Sequence, residues 1–203
     1  MSEGIEISRQ SRGTRPQGLA DTQKKGKRQK NRPFSMKALI ISADGFEDTE
    51  LLVPYYRLKE EGVEVHVASM RKHKIKGKHG YEVDVDKALI EIHPDDYDLL
   101  LLPGGKAPEA IRKEKDALDI AKYFCRHNKP VSAICHGPQI LITAGLLKGR
   151  RATCYRSVAQ ELKDSGALYE DKEVVVDGNL VTSRKPSDLP AFLRETINKL
   201  RSS

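Results

Sequence analysis

The residues of this 203-residue chain best suited to chemistry are Cys135 and His136, in the segment VSAICHGPQIL. An apolar run ends there on the cysteine, and glycine and proline then open a predicted helix. A thiol at such a turn lies in the field of a helix N-terminus, which favours the thiolate and lowers the thiol pKa. The pattern resembles the strand–nucleophile–helix turn of serine hydrolases and predicts a cysteine nucleophile. Buried cysteines are more often inert, so this is the alternative interpretation of Cys135.

His136 can act as a base, as an orienting partner or as an exposed loop residue. All six histidines lie at or before position 136, so none follows the cysteine. An α/β-hydrolase or a class I glutamine amidotransferase places its triad histidine after the nucleophile, so neither class fits. Cys125, on a predicted helix, and Cys154, in a predicted short strand, are typical of buried structural thiols. Three cysteines without a C-x-x-C spacing argue against a disulfide framework or a zinc site, and we expect neither metal nor cofactor.

Two carboxyl groups and two glycines are candidates to support the thiol. Glu47 and Glu50 begin a predicted helix, where a carboxyl beside the thiol can stay protonated and donate a hydrogen bond to sulfur. Acidic residues are also common in the first turn of any helix. Gly104 and Gly105 follow a leucine-rich strand, where backbone N–H groups can approach a ligand oxygen. Tyr155 can reach the same pocket or be an ordinary half-buried tyrosine.

The elements that position these residues alternate regularly from Lys37 onward. The predicted strands are KALIISA, VEVHVAS, DLLLLPGG, PVSAI and RATCY. The predicted helices are TELLVPYYRLKEEG, EKDALDIAKYFCRHN, GPQILITAGLL, SVAQELKDSGA and a closing helix from Ser187 to about Leu200. The predicted hairpins are KIKGKHGYEVDVD and EVVVDGNLVTS. This order predicts one α/β domain over residues 36–203, built as a three-layer sandwich with a mainly parallel sheet. Such sheets bind ligands at the carboxyl ends of their strands, where residues 44–50, 103–109 and 135–137 are expected to meet.

The net charge of +7 belongs to the first part of the chain. Nine basic and three acidic residues precede Met36, which leaves 27 basic and 26 acidic residues in the rest. We expect residues 1–35 to be a disordered basic extension or the product of a start assigned too early. The extension contains no aromatic stacking residue within its basic run, so we do not expect nucleic-acid binding. No apolar block is long enough for a membrane span or a secretory signal, and we expect a cytoplasmic protein with no membrane partner.

The chain from Met36 to about Leu200 resembles the PfpI family of intracellular cysteine peptidases, within the superfamily of the Parkinsonism-associated protein deglycase. The segments that carry the resemblance are DGFEDTEL, YYRLKEEG, GKHGYEV, LLPGGKAPE, AICHGPQIL, GRRATCY and VVVDGNLVTSR. The resemblance implies a flavodoxin-like fold and a homo-oligomer, between a dimer and a hexamer. It also implies that Cys135 is the nucleophile, His136 its base, and Glu50 the carboxyl bonded to sulfur.

The family pattern further implies that Glu109 reaches the histidine of a neighbouring subunit, so that the triad forms only in the oligomer. Gly104, Gly105 and the amide of His136 would form the oxyanion hole. Tyr155 stands where the deglycase branch has a histidine, which places this chain nearer the peptidase branch.

Peptidase, deglycase and glyoxalase activities have all been ascribed to this family. The resemblance therefore implies a cysteine hydrolase acting on peptides or on glycated amines of proteins or nucleotides. The alternative is a non-enzymatic stress protein that senses oxidation through its thiol or acts as a holdase chaperone.

Overall fold

The computed structural model describes residues 36–203, and the predicted basic extension over residues 1–35 lies outside the described residues. The strands are β1 Lys37–Ile41, β2 Glu64–Ser69, β3 Lys74–Lys76, β4 Glu82–Asp84, β5 Lys87–Ala88, β6 Leu99–Leu102, β7 Val131–Ile134, β8 Arg151–Ala152, β9 Leu168–Tyr169, β10 Val174–Asp177 and β11 Leu180–Ser183. The α-helices are α1 Asp48–Glu60, α2 Ala107–Ile111, α3 Lys115–Arg126, α4 Pro138–Thr143, α5 Ala159–Asp164 and α6 Leu189–Arg201. Within this part of the chain, no helix is both long and apolar enough to span a membrane.

Seven strands form one sheet in the order β10-β11-β7-β6-β1-β2-β5. Every neighbouring pair is parallel except β10 and β11, which form the predicted antiparallel hairpin. Strands β3 and β4 form the other predicted hairpin outside this sheet. The sequence-based prediction of a mainly parallel sheet is confirmed.

Continuous apolar runs explain why the central strands lie in the middle of the fold. All four leucines of β6 are fully buried, and β1 and β7 on either side of it are almost as completely buried. A strand covered on both faces needs such a run rather than an alternating pattern. Helix α1 packs against α6, and α3 packs against α4 and the central strands. The arrangement is the expected flavodoxin-like α/β fold.

The order of the central strands also positions the site. Because β7, β6 and β1 are parallel neighbours, their carboxyl ends lie side by side at one edge of the sheet. The loops that follow β7 and β6 carry Cys135 and Gly104, and the first turn of α1, which follows β1, carries Glu50. This placement is the one that the rule for ligand sites in such sheets requires.

Several predicted elements differ from the structure. The predicted strand RATCY is wrong beyond Ala152, because β8 pairs only with β9 in a separate two-stranded sheet. Cys154 and Tyr155 therefore lie in a loop, which turns back toward the main sheet where the amide of Tyr155 donates to the carbonyl of Cys135 (2.9 Å). Helix α4 ends at Thr143, since Gly145 adopts a positive φ of 71°. Helix α2 and the short strands β5 and β9 were not predicted.

Candidate active site

Cys135 occupies a sharp turn between β7 and α4. Its φ is 62°, a left-handed conformation that costs a residue with a side chain roughly 1–2 kcal/mol. Two backbone hydrogen bonds hold it there: its amide donates to the carbonyl of Ser183 (3.0 Å), and its carbonyl accepts from the amide of Tyr155 (2.9 Å). Only 7% of the residue is exposed. The predicted sharp turn between strand and helix is therefore present, and it places a nearly buried thiol at the edge of the sheet.

Two glycines make this turn sterically possible. A Cβ atom on Gly137 would lie 2.1 Å from the carbonyl oxygen of Leu102. A Cβ atom on Gly104 would lie 2.6 Å from Oε2 of Glu50 and 2.7 Å from Cβ of Cys135. Real Cβ atoms do not approach other atoms so closely, so both positions exclude any larger residue. Gly104 thus lets the carboxyl and the thiol share one small space.

The imidazole of His136 lies directly beside the thiol. Its Nδ1 is 3.2 Å from Sγ of Cys135, and its Nε2 is 3.3 Å from the hydroxyl of Ser157. The ring stacks on Tyr155, with 5.2 Å between the centroids. Burial, and secondly the positive charge of Lys78, lower the pKa of His136. The ring is therefore neutral near pH 7, and a neutral imidazole can accept a proton from the thiol.

Glu50 places a carboxyl group with no solvent exposure against the same thiol. Its Oε2 accepts a hydrogen bond from the amide of Gly104 (2.9 Å), while its Oε1 is buried without a partner among the described residues. Burial raises the pKa of Glu50 to about 7, against the opposing effect of the Gly104 hydrogen bond. A share of this carboxyl therefore keeps its proton at neutral pH and can donate it to the sulfur.

The pKa of the Cys135 thiol is raised, chiefly by burial and secondly by the negative charge of Glu50, whereas the amides of Gly105 and His136 lower it. The prediction that the helix field lowers this pKa is wrong for this arrangement. Helix α4 has only six residues, and the loss of solvation is the largest effect on this thiol. Protonation of Glu50 removes its negative charge, which is the second cause of the raised thiol pKa. The thiolate therefore forms most readily when this carboxyl is protonated.

The predicted oxyanion hole needs one correction. The amide of Gly104 already donates to Glu50, so it is not free to bind a substrate oxygen. The amides of Gly105 and His136 both donate toward the Cys135 sulfur and lower its pKa. They are therefore the N–H donors that remain to stabilise a negative charge beside the sulfur.

A cavity of about 480 Å³ opens above the thiol. Its lining includes six residues expected from the sequence, namely Glu47, Glu50, Gly105, Cys135, His136 and Tyr155. Four further lining residues were missed by the sequence interpretation: Lys78, His79, Lys106 and Pro186. In the sequence, only the glycines beside these residues, in the segments GKHG and LPGGK, could have indicated that they line a cavity. Such glycines mark turns, which bring the nearby residues close to a neighbouring segment.

The turn of the β3–β4 hairpin supplies Lys78 and His79 to this cavity. The carboxylate of Asp48, at the start of α1, accepts hydrogen bonds from the amides of His79 (2.9 Å) and Tyr81 (3.1 Å). Glu47 then pairs with Lys78 Nζ (3.4 Å) and with His79 Nε2 (3.3 Å). The hairpin turn is thereby bound to the same helix start that carries Glu50.

Glu109 is not part of this cluster. It lies exposed in α2 and does not line the cavity. A triad that includes its carboxylate is not formed within one subunit, so its predicted role across a subunit contact stays a prediction. Among residues 36–203, no group of three or more histidine, cysteine, aspartate or glutamate side chains is arranged to hold a metal ion.

Comparison with known proteins gives one family over almost all of the described chain. Residues 36–199 match the DJ-1/PfpI family. A Thermococcus kodakarensis protein named a deglycase is 55% identical over 166 residues, which cover 82% of this chain and all of the relative. A Bacillus subtilis protein named "Putative cysteine protease YraA" is 45% identical over 169 residues, covering 83% of this chain and all of that protein. These shares show that the similarity extends over the whole length of both relatives.

A solved structure from Anabaena variabilis, a two-domain protein with DJ-1/ThiJ/PfpI-like and ferritin-like domains, superposes with a TM-score of 0.80 at 36% identity. The match covers 81% of this chain and 48% of that two-domain protein. The likeness therefore concerns one of its domains.

Proposed function

This chain belongs to the DJ-1/PfpI family, and we propose that it is a cysteine-dependent hydrolase acting through Cys135 on glycated amines or peptides. One observation carries the proposal: the thiol lies between a neutral imidazole 3.2 Å away and a buried carboxyl whose pKa is raised to about 7. Such an arrangement of a nucleophile, a base and a hydrogen-bond donor is typical of nucleophilic catalysis rather than of a structural cysteine.

The reaction begins with loss of the thiol proton. Nδ1 of His136 accepts this proton, while protonated Glu50 donates a hydrogen bond to the sulfur and stabilises its negative charge. The sulfur then forms a bond to the substrate carbonyl carbon, and the π electron pair moves onto the oxygen. The amides of Gly105 and His136 are the groups placed to donate to this oxyanion.

Both peptides and glycated amines undergo addition of the sulfur to a carbonyl carbon, but the C–N bond breaks after this addition in a peptide and before it in a glycated amine. With a peptide, the C–N bond breaks, the amine takes the proton from His136, and water hydrolyses the remaining thioester. With a methylglyoxal-derived hemiaminal, the hydroxyl proton passes to the nitrogen as the C–N bond breaks, which frees the amine and forms an aldehyde. The sulfur adds to this aldehyde carbon, which keeps its hydrogen, and the oxygen takes a proton to give a hemithioacetal. An internal hydrogen shift then oxidises the sulfur-bearing carbon and reduces its neighbour, and water releases the hydroxy acid. No outside oxidant is needed for either route.

The relatives favour the glycated substrate over the peptide. The Thermococcus kodakarensis relative, with the higher identity of the two described, is named a deglycase, whereas the Bacillus subtilis relative carries a protease name. A cavity of about 480 Å³ is large enough for a glycated side chain and small for an extended peptide. We therefore propose deglycation as the main activity, with peptide cleavage at the same thiol as a secondary one.

Paired kinetics would test the proposal. Release of hydroxy acid from methylglyoxal-modified N-acetylarginine and cleavage of a fluorogenic peptide are measured on one preparation, with Cys135→Ser as the variant. Cys125→Ser is the matched control, since Cys125 is a free thiol on α3 outside the cavity. We expect Cys135→Ser to abolish turnover and Cys125→Ser to retain it. Equal turnover in all three proteins, or none in the native chain, contradicts the proposal.

We also propose that subunits share their sites through Glu109. Its exposed position leaves the carboxylate free to approach the His136 of a second subunit. Glu109→Gln should lower turnover in the oligomer, with Glu173→Gln, another exposed glutamate, as the control. Full activity of a monomer isolated by gel filtration would contradict this arrangement.

A further inference from the structure

A second pocket, of about 310 Å³, lies next to the active-site cavity and is positively charged. It is lined by Cys154, Tyr155, Arg156, Tyr169, Arg184 and Lys185, together with the carboxylate of Asp171. We propose that this pocket is an anion subsite, which binds a carboxylate or phosphate group of the substrate whose carbonyl is attacked at Cys135. The inference rests on the proposed function, because it names the class of substrate that the same thiol would process.

Arg184 is held ready to bind an anion. Its Nε and one terminal nitrogen donate to the two oxygens of Asp188 (2.8 and 3.3 Å), and its other terminal nitrogen donates to Asp171 (2.7 Å). The carboxylate of Asp188 is itself almost fully buried. These bonds use three of the five guanidinium N–H groups, so two remain on a side chain whose orientation is already fixed. A fixed guanidinium loses little conformational entropy when it binds a carboxylate or a phosphate.

Two more cations supply the positive charge that Arg184 cannot supply alone. Arg156 and Lys185 form no salt bridge with any residue between 36 and 203. The two carboxylates bonded to Arg184 leave that cluster with one negative charge, and Arg156 and Lys185 bring the total to one positive charge. Arg184 can still donate its two remaining N–H groups, but its charge is already balanced by two carboxylates. The unpaired cations Arg156 and Lys185 therefore supply the net charge on which the inference rests.

The pocket is connected to the thiol through shared residues. Tyr155 lines both the pocket and the active-site cavity, and its ring stacks on His136. Lys185 lines the pocket while the next residue, Pro186, lines the cavity. A substrate that places its carbonyl at Cys135 can therefore extend past Tyr155 and place an anionic group between the cations.

Three methylglyoxal-modified dipeptide amides test the subsite: N-acetylarginyl-asparagine amide, N-acetylarginyl-aspartate amide and N-acetylarginyl-phosphoserine amide. We expect kcat/KM for the two anionic substrates to exceed that for the asparagine substrate by about fivefold at low salt, mainly through a lower KM. The ratio should fall toward one in 1 M salt, where charges are screened over about 3 Å. A higher kcat/KM for the phosphoserine substrate than for the aspartate substrate would identify phosphate as the group that the subsite prefers. Equal kcat/KM for these two substrates would show that the subsite accepts either anion.

The double variant Arg156→Gln/Lys185→Gln should bring the ratio close to one. The matched control is Lys72→Gln/Arg126→Gln, which removes the same charge from two exposed positions outside both pockets and should keep the ratio. A ratio near one in the native chain, or a ratio that the Arg156/Lys185 variant leaves unchanged, overturns the subsite.

A binding measurement separates the subsite from the proposed function. Calorimetric titration of unmodified N-acetylarginyl-phosphoserine amide into the Cys135→Ser protein needs no turnover. Binding that weakens about fivefold in the Arg156/Lys185 variant supports the subsite even when no substrate is hydrolysed. Absence of measurable binding at millimolar peptide, or binding equal to that of the asparagine peptide, overturns the subsite even when the enzyme is active.

Discussion

Replacing Glu50 with glutamine should remove a pH-dependent loss of stability from the protein. Glutamine has nearly the same shape and keeps an oxygen that can accept from the amide of Gly104, but it cannot ionise. In the native protein the folded-state pKa of Glu50 is raised from 4.5 to about 7. A raised carboxyl pKa means that the folded state binds the proton more tightly than the unfolded state does. Its stabilising contribution is therefore complete below pH 4.5 and is lost as the pH rises through 7.

The size of the effect follows from this shift. Each pKa unit corresponds to about 1.4 kcal/mol, so the difference in unfolding free energy between the native protein and Glu50→Gln should change by about 3 kcal/mol from pH 4.5 to pH 8. The change favours the variant at high pH. The lowered pKa of His136 acts in the opposite direction over the same range, but it is present in both proteins and largely cancels in the difference. The raised pKa of Cys135 acts only above pH 9.

Guanidinium unfolding at one fixed protein concentration, repeated at half-unit steps of pH, measures this difference. Glu173→Gln is the control, because it makes the same chemical change at an exposed position outside the cavity. A flat curve for Glu50→Gln would refute the claim that burial keeps this carboxyl protonated. The proposed hydrogen bond from Glu50 to the thiolate would fall with it.

Two further substitutions test the geometry around the thiol. Gly137→Ala should destabilise the protein by about 3 kcal/mol, because its Cβ would lie 2.1 Å from the Leu102 carbonyl, and an unchanged midpoint of thermal unfolding would contradict this contact. Asp48→Asn should cost about 1–2 kcal/mol and speed hydrogen exchange at the amides of His79 and Tyr81, since the amide group can accept only one of the two hydrogen bonds. Asp84→Asn, in the same hairpin, should leave both exchange rates unchanged.

The sequence by itself determined the fold and the place of the site. A fourfold leucine run is typical of a strand buried on both faces, and strands that alternate with helices then predict a parallel sheet. Parallel strands bring their carboxyl ends to one edge, so Cys135, Glu50 and the glycine pair were predicted to meet although they are far apart in the chain. His136 follows Cys135 in the sequence, but its role was left open between a base, an orienting partner and an exposed loop residue, and the structure places its Nδ1 3.2 Å from the sulfur.

Only the tertiary structure decided the electrostatics and the rest of the lining. The sequence predicted a lowered thiol pKa from the helix start, but burial and the charge of Glu50 reverse the direction, and neither can be quantified without coordinates. The amide of Gly104 was predicted to face the substrate, and it faces Glu50 instead.

Lys78 and Lys185 likewise reach the two pockets through a hairpin turn and a loop whose directions depend on distant contacts, such as the bonds from Asp48 to the hairpin. Local sequence patterns report which face of an element is buried, because burial repeats with the period of the element. Such patterns do not report which group a single amide bonds to or what surrounds a single charge. Both depend on groups that the fold brings together from separate parts of the chain.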